Sequence, residues 1–157
     1  MDHVVVLDFG SQTTHLIGRR IREAQVFTQI VPGDTPVTEW LTDNVRGIVL
    51  SGSPASVHDA DSPRPDPAVY NTGLPILGIC YGLQVTVDRL GGTISRSTHR
   101  EYGLATVDVA ARDSIAAPTG PAQFRSWMSH GDTIQSLPDG ATTIGRSQNG
   151  LPAVVSI

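Results

Sequence analysis

The chain has 157 residues, enough to bury the core of one domain, and 39% of them are hydrophobic, the ordinary share for a soluble fold. A formal net charge of −4 with no block of Lys or Arg argues against nucleic acid as a partner. A single cysteine excludes an internal disulfide and fits a reducing compartment, and no apolar stretch nears the roughly 18 residues of a membrane span.

The start, Met1-Asp2-His3, carries no basic segment, and the apolar run after it is too short for a signal peptide, so the expected location is the cytoplasm. Val4-Val5-Val6-Leu7 is continuously apolar, as a strand covered on both faces requires. Ser11 is placed as a helix N-cap, with Ile17, Ile21 and Ala24 recurring at i, i+4 and i+7. Val26 to Val31 reads as a second strand, Val37 to Leu41 as a short helix, and Gly47-Ile48-Val49-Leu50 as a third strand ending at Ser51-Gly52-Ser53-Pro54. The stretch from Pro54 to Pro67, with further prolines at Pro63 and Pro65, is an irregular loop long enough to be functional. A fourth strand, Leu74 to Ile79, stops at Cys80, and Leu83, Gln84, Val87, Asp88 and Leu90 then follow at helical spacing. After Gly92 the chain reads as short strands between turns: Thr93 to Ser95, Leu104 to Val109, Arg125 to Met128 and Ala141 to Ile144. Ala110 to Pro121 is a small-residue connector without an assigned element. Leu151 to Ile157 reads as a turn and a core strand inside which the sequence stops, so the expectation is one domain over 1–157 that is truncated at its C-terminus.

This order predicts an α/β fold with a mostly parallel sheet, and such sheets bind ligands beyond the carboxyl ends of their strands. Three strand ends carry polar or glycine-rich turns, Asp8-Phe9-Gly10-Ser11, Ser51-Gly52-Ser53-Pro54 and Cys80-Tyr81-Gly82, and these are expected to converge.

Cys80 sits at the sharpest of them. A strand, a tight turn and a helix with a nucleophile at the turn make an elbow that attacks carbonyls. Gly78 and Gly82 let neighbouring backbone pass close by, and the first helical N–H groups favour thiolate over thiol. The competing reading is a buried structural cysteine. The N–H of Tyr81 and one in the Gly52-Ser53 turn are candidate oxyanion donors, unless that turn is merely a turn. Gln84 follows Cys80 by one helical turn, where an amide suits a polar, zwitterionic substrate; the alternative is a solvent-facing glutamine. In Trp127-Met128-Ser129-His130-Gly131-Asp132 a strand is expected to break into a polar loop, whose N–H groups at Gly131 and Asp132 would hold a carboxylate. His3 and His58 read as terminus and loop and His15 as helical; His99, beside Glu101, imitates a base with its carboxylate but sits in a loop with no clear route to Cys80, and His130, in the more suggestive loop, has no evident acid partner besides Asp132.

Six segments taken in order carry a resemblance over essentially the whole chain. They are Val6-Leu7-Asp8-Phe9-Gly10-Ser11-Gln12, Arg19-Arg20-Ile21-Arg22-Glu23, Ile48-Val49-Leu50-Ser51-Gly52-Ser53-Pro54, Gly78-Ile79-Cys80-Tyr81-Gly82-Leu83-Gln84, Arg100-Glu101-Tyr102-Gly103 and Trp127 to Asp132. The chain resembles the class I glutamine amidotransferase domains of GMP synthetases. The resemblance implies a central, mostly parallel sheet with flanking helices and a nucleophile elbow. It implies that Cys80 attacks the amide of glutamine, that Tyr81 and the Gly52-Ser53 turn hold the oxyanion, and that Gln84, Ser129, His130, Gly131 and Asp132 grip the α-amino and α-carboxylate groups. It implies no metal or cofactor in this domain. Ammonia would pass to an ATP-pyrophosphatase domain or subunit, where ATP and Mg²⁺ serve the amination of XMP to GMP; any homo-oligomer would form through the part outside this chain.

Two departures stand out. The family has Gly-Gly-Pro where this chain has Gly52-Ser53-Pro54, and a turn needing φ > 0 there would cost serine about 1 kcal/mol or more. The family's His-Pro-Glu motif does not occur in the sequence, and His99 and Glu101, which lie beside and within a different matching segment, Arg100 to Gly103, do not inherit its role. A non-catalytic glutamine-sensing or docking module of the same fold is therefore the second reading, and another cysteine hydrolase with a similar elbow the third.

Overall fold

The computed structural model describes residues 1–110 and 123–157, without the side chains of 97–102 and 129–130. Apart from Ala110, the small-residue connector lies outside the described residues. The chain divides into two compact units, Met1–Thr86 and Val87–Ile157.

The first unit is a parallel sheet in the order β2-β1-β3-β4, built from β1 (His3–Asp8), β2 (Phe27–Pro32), β3 (Val45–Leu50) and β4 (Ile76–Gly78). Its other elements are α1 (Thr14–Glu23), α2 (Val37–Trp40) and a short 3-10 helix, Pro67–Asn71. Val5, Val6 and Leu7 are fully buried, as are Ile48 and Leu50 beside them, which is why these strands are written without polar alternation. The register pairs Leu7 with Leu50 and Leu50 with Gly78. Three strands therefore finish at one level, and the chain leaves the sheet at Asp8, Ser51 and Ile79 along a single edge.

Two local expectations change here. Thr13, not Ser11, is the residue before α1, and it makes no side-chain cap. Ser11 instead accepts the Thr13 N–H on its hydroxyl and the Thr14 N–H on its carbonyl, so it shapes the turn ahead of the helix. The face α1 buries is also rotated from the Ile17–Ile21–Ala24 stripe: Thr14 and Gly18 are buried, and Ala24 is exposed. Gly18 explains it, because a Cβ there would lie 3.0 Å from Ile30 Cδ1, so the bare glycine lets α1 settle onto β2. β4 is shorter than expected because Pro75 has no N–H to give; it contributes only its carbonyl, to the Ile48 N–H.

The second unit is an antiparallel sheet in the order β6-β5-β7-β8: β5 (Thr93–Val109), β6 (Gln123–Ser136), β7 (Thr142–Ser147) and β8 (Pro152–Ser156). Val107 and Val109 form its core with Phe124, Met128, Ala153 and Val154 around them. The two short strands expected on either side of Arg100-Glu101-Tyr102-Gly103 are one long strand, and the polar loop expected at Ser129 to Asp132 lies inside β6. Gly and Asp read as strand breakers, but Asp132 pairs with Arg96 in the ladder between β5 and β6 and the strand continues through His130 opposite Glu101. The mismatch is absorbed where the register shifts between Arg96 and Glu101, opposite Gly131.

Candidate active site

The elbow is built by two close backbone approaches. A Cβ on Gly82 would lie 2.2 Å from the Leu50 carbonyl oxygen, and one on Gly78 would lie 2.7 Å from the Leu83 nitrogen. Only glycine at both places lets β4 run into α3 (Tyr81–Arg89) this tightly. The Ile79 N–H then donates to the Leu50 carbonyl, and the Leu83 and Gln84 N–H groups donate to the Cys80 carbonyl. Cys80 itself takes φ +53°, the left-handed region that costs a residue with a side chain. Backbone strain of this kind persists only where its surroundings enforce it.

Cys80 is accessible, and the Tyr81 N–H bonds its sulfur. The accessibility excludes the buried structural cysteine. Desolvation by the surrounding protein nonetheless pushes the thiol pKa up, and the Tyr81 N–H opposes this only in part. This desolvation works against the thiolate that the first helical N–H groups are expected to favour.

Tyr81 anchors the turn from below. Its ring is buried and meets Phe9 edge-on with centroids 5.7 Å apart, and its hydroxyl donates to the Pro63 carbonyl. The proline-rich loop is thereby tied to the elbow. Arg64 donates to the Val57 carbonyl within that loop, and Asp66 accepts the N–H groups of Val37 and Ala68, which hold its carboxyl below the usual range.

The other two strand ends converge on Cys80 as expected. A Cβ on Gly52 would lie 3.8 Å from the Cys80 Cβ and 3.4 Å from the Ser11 Oγ, and one on Gly10 would lie 4.0 Å from the Pro54 Cδ. Asp8 accepts the Gly10 N–H and the Thr14 hydroxyl, which fixes the first turn. Positive φ among non-glycine residues occurs, among those described, only at Gln25 and Cys80. Ser53 therefore carries no left-handed strain, and serine in place of the family's glycine costs nothing on that account.

Gln84 is only 8% exposed, which rules out the solvent-facing alternative. Cys80, Tyr81, Gly52, Ser53 and Gln84 all belong to the first unit; Ser129, His130, Gly131 and Asp132 belong to the second. On β6, Ser129 stands opposite Tyr102 and His130 opposite Glu101, and Asp132 is buried opposite Arg96. The side chains of Ser129, His130 and His99 lie outside those described. His3 packs edge-on against Phe27 at the start of β1, and His15 and His58 are exposed. Ser51, Ser11 and Asp8 lie in the converging turns that the sequence marked, but it gave none of them a role of its own there. The one signal for Ser51 was a hydroxyl closing an otherwise apolar strand immediately before a glycine.

Among the described residues no helix is long and apolar enough to cross a membrane, and no group of three or more His, Cys, Asp or Glu is placed to hold a metal ion. The family Glutamine amidotransferase class-I matches residues 5–156. The glutamine-hydrolyzing GMP synthase of Thermobifida fusca is 47% identical over 154 residues, covering 98% of this chain and 29% of that protein. That of Aquifex aeolicus is 44% identical over 153 residues, covering 98% of this chain and 30% of that protein. The chain thus spans about 30% of the length of the curated relatives it matches. Among solved structures, one assigned as a GMP synthase subunit of Thermoplasma acidophilum superposes with TM-score 0.83 at 28% identity, covering 99% of this chain and 78% of that one. A glutamine amidotransferase of Thermotoga maritima shares the fold at TM-score 0.75 and 20% identity, over 96% of this chain and 69% of that one. The chain belongs to the class I glutamine amidotransferase family.

Proposed function

We propose that this chain is the glutaminase part of a GMP synthase. The observation that supports it most directly is an accessible cysteine held at φ +53° on a glycine-walled elbow, in a chain that is 44–47% identical to the amidotransferase parts of such synthases. In this reading the Cys80 sulfur attacks the side-chain carbonyl carbon of glutamine. The C–S bond forms as the carbonyl π pair moves onto oxygen, and the Tyr81 N–H and an N–H of the Gly52-Ser53 turn stabilise that charge. Collapse of the tetrahedral species restores the carbonyl and breaks the C–N bond, and the nitrogen takes the proton that the thiol gave up and leaves as ammonia. Water then attacks the thioester and restores the thiol, giving glutamate. Gln84 and, by the family resemblance, Ser129, His130, Gly131 and Asp132 hold the α-amino and α-carboxylate groups.

The ammonia is used by an ATP-pyrophosphatase domain or subunit in the cytoplasm, where ATP and Mg²⁺ serve the amination of XMP to GMP. By the family resemblance, the glutaminase part needs no cofactor of its own.

The test is glutamate release from glutamine by the 157-residue chain, with Cys80→Ala as control. Release that the substitution abolishes is the expected outcome. Its rate should be well below that of an amidotransferase with a full triad, since the sequence contains no His-Pro-Glu and loss of a triad base costs several orders of magnitude. Measurable release that persists unchanged in Cys80→Ala would sink the assignment of Cys80.

A further inference from the structure

We propose that Ser51 is a positioning residue that locks the Gly52–Ser53 peptide with its N–H turned toward Cys80. The inference rests on the glutaminase reading above and says which N–H of that turn serves the oxyanion. Ser51 is fully buried just beyond the end of β3. Its hydroxyl accepts the Phe9 N–H at 3.0 Å and lies 3.0 Å from the Gly52 carbonyl oxygen. A serine hydroxyl has one proton, and the Phe9 N–H must be the donor in its own bond. The proton of Ser51 is therefore committed to the Gly52 carbonyl.

That bond fixes a direction. No peptide in the described chain is cis, and in a trans peptide the carbonyl and the following N–H point opposite ways. With the Gly52 carbonyl drawn toward the buried strand end, the Ser53 N–H faces away from it. Gly52 borders the nucleophile, since a Cβ there would stand 3.8 Å from the Cys80 Cβ, and the Ser53 N–H of the same turn is assigned to that side. The same hydroxyl also references the second donor. It holds Phe9 by the backbone, and the Phe9 ring packs edge-on against Tyr81, whose N–H bonds the Cys80 sulfur. Both candidate oxyanion donors are thus set in one frame by one buried hydroxyl. A donor aimed before the charge forms needs no reorganisation when it does.

Ser51→Ala would free the Gly52 carbonyl and leave the Phe9 N–H without its partner. The readout compares two reagents on the intact chain. One is the diazoketone isostere of L-glutamine, with diazomethyl in place of the amide nitrogen; the thiolate displaces dinitrogen from its protonated diazomethyl carbon. Its carbonyl must occupy the place of the amide carbonyl. The other is iodoacetamide, which needs only the sulfur. Ser51→Ala should slow saturated diazoketone labelling of Cys80 by about 10-fold, less than the loss of a whole donor, with the half-saturating concentration unchanged and iodoacetamide alkylation within about twofold. Ser51→Thr, which keeps the hydroxyl, should recover most of the rate. Equal slowing with both reagents would show that Ser51 merely holds the fold, and that result overturns the proposal. So does unchanged diazoketone labelling, or a Ser51→Thr chain as slow as Ser51→Ala. If the unsubstituted chain takes iodoacetamide at Cys80 but never the diazoketone, the glutaminase reading itself fails.

Discussion

At Cys80 two costs meet on one residue. Its φ of +53° places the Cβ against the following carbonyl, a conformation about 1 kcal/mol or more above the ordinary one. Replacing Cys80 by glycine should therefore give a chain more stable than Cys80→Ala by about 1 kcal/mol, measured as the shift in urea midpoint at constant m-value. Equal midpoints would mean that the elbow stores no strain at this position. The second cost is electrostatic. Burial raises the thiol pKa and the Tyr81 N–H recovers only part of it. A raised pKa means that the proton is held more tightly than on a free thiol, so the thiolate fraction at neutral pH is smaller. Iodoacetamide alkylation of Cys80 should accelerate as pH rises, with a midpoint above that of cysteine in an unstructured peptide. A midpoint below it would show that the field of α3 outweighs desolvation. The nucleophile's position was legible in the sequence because a cysteine set between glycines at the end of an apolar run, with helical spacing after it, needs a sharp turn at the sulfur. Its ionisation was not, because desolvation depends on what packs over the sulfur, and that comes from segments remote in sequence.

Among the elements, the glycines of the elbow act by what they leave empty. Gly82 is the sharper case: a methyl there would have to occupy space 2.2 Å from the Leu50 carbonyl oxygen, and backbone cannot step aside as a side-chain tip can. Gly82→Ala should cost roughly 3 kcal/mol or more, because α3 must lift from β3, and thermal unfolding against the parent chain measures it. Gly73→Ala is the useful contrast. Gly73 has φ +71° but nothing within 4 Å of a Cβ, so its substitution costs only the backbone strain, about 1 kcal/mol. If the two variants melt together, close approach does not shape the elbow. The sequence announced these glycines by their positions around Cys80. It announced α1 less well: the Ile17–Ile21–Ala24 period was real, but Gly18 set the contact face by letting the helix close on Ile30. A missing side chain leaves no mark on a hydrophobic period. β5 and β6 were read as fragments for the opposite reason. Their polar middles look like loops until a partner strand supplies the hydrogen bonds, and pairing across so many residues is not a local property.

For the molecule as a whole, the contrast between the two units predicts an order of opening. In the first, β1 and β3 carry continuous fully buried residues, Val5, Val6, Leu7, Ile48 and Leu50, and β1 has a paired strand on each side. In the second, β8 is half-buried along its length, ends exposed, and pairs only with β7. Burying one Val or Leu contributes roughly 1.5–3 kcal/mol, so a few such side chains separate a strand that opens only with global unfolding from one that frays. Native-state hydrogen exchange reads this directly. The amides of Val5 to Leu7 and Ile48 to Leu50 that sit in the parallel ladder should open with the highest free energies in the chain. Those of β8 that sit in the antiparallel ladder should exchange at least about 10-fold faster under the same conditions, a gap of about 1.4 kcal/mol or more. Protection in β8 equal to that in β1 would mean that the antiparallel sheet is stabilised by more than its visible core of Val107 and Val109. The same ordering bears on the site. Ser51, Gly52 and Ser53 follow β3, one of the strands expected to open last, and the elbow at Cys80 and Tyr81 is tied to it by the Ile79 N–H bond to the Leu50 carbonyl, so their geometry should survive conditions that loosen the second unit. Adding urea to the onset of β8 exchange should therefore leave the pH profile of Cys80 alkylation unmoved; a profile that shifts together with β8 opening would tie the nucleophile's environment to the antiparallel sheet instead.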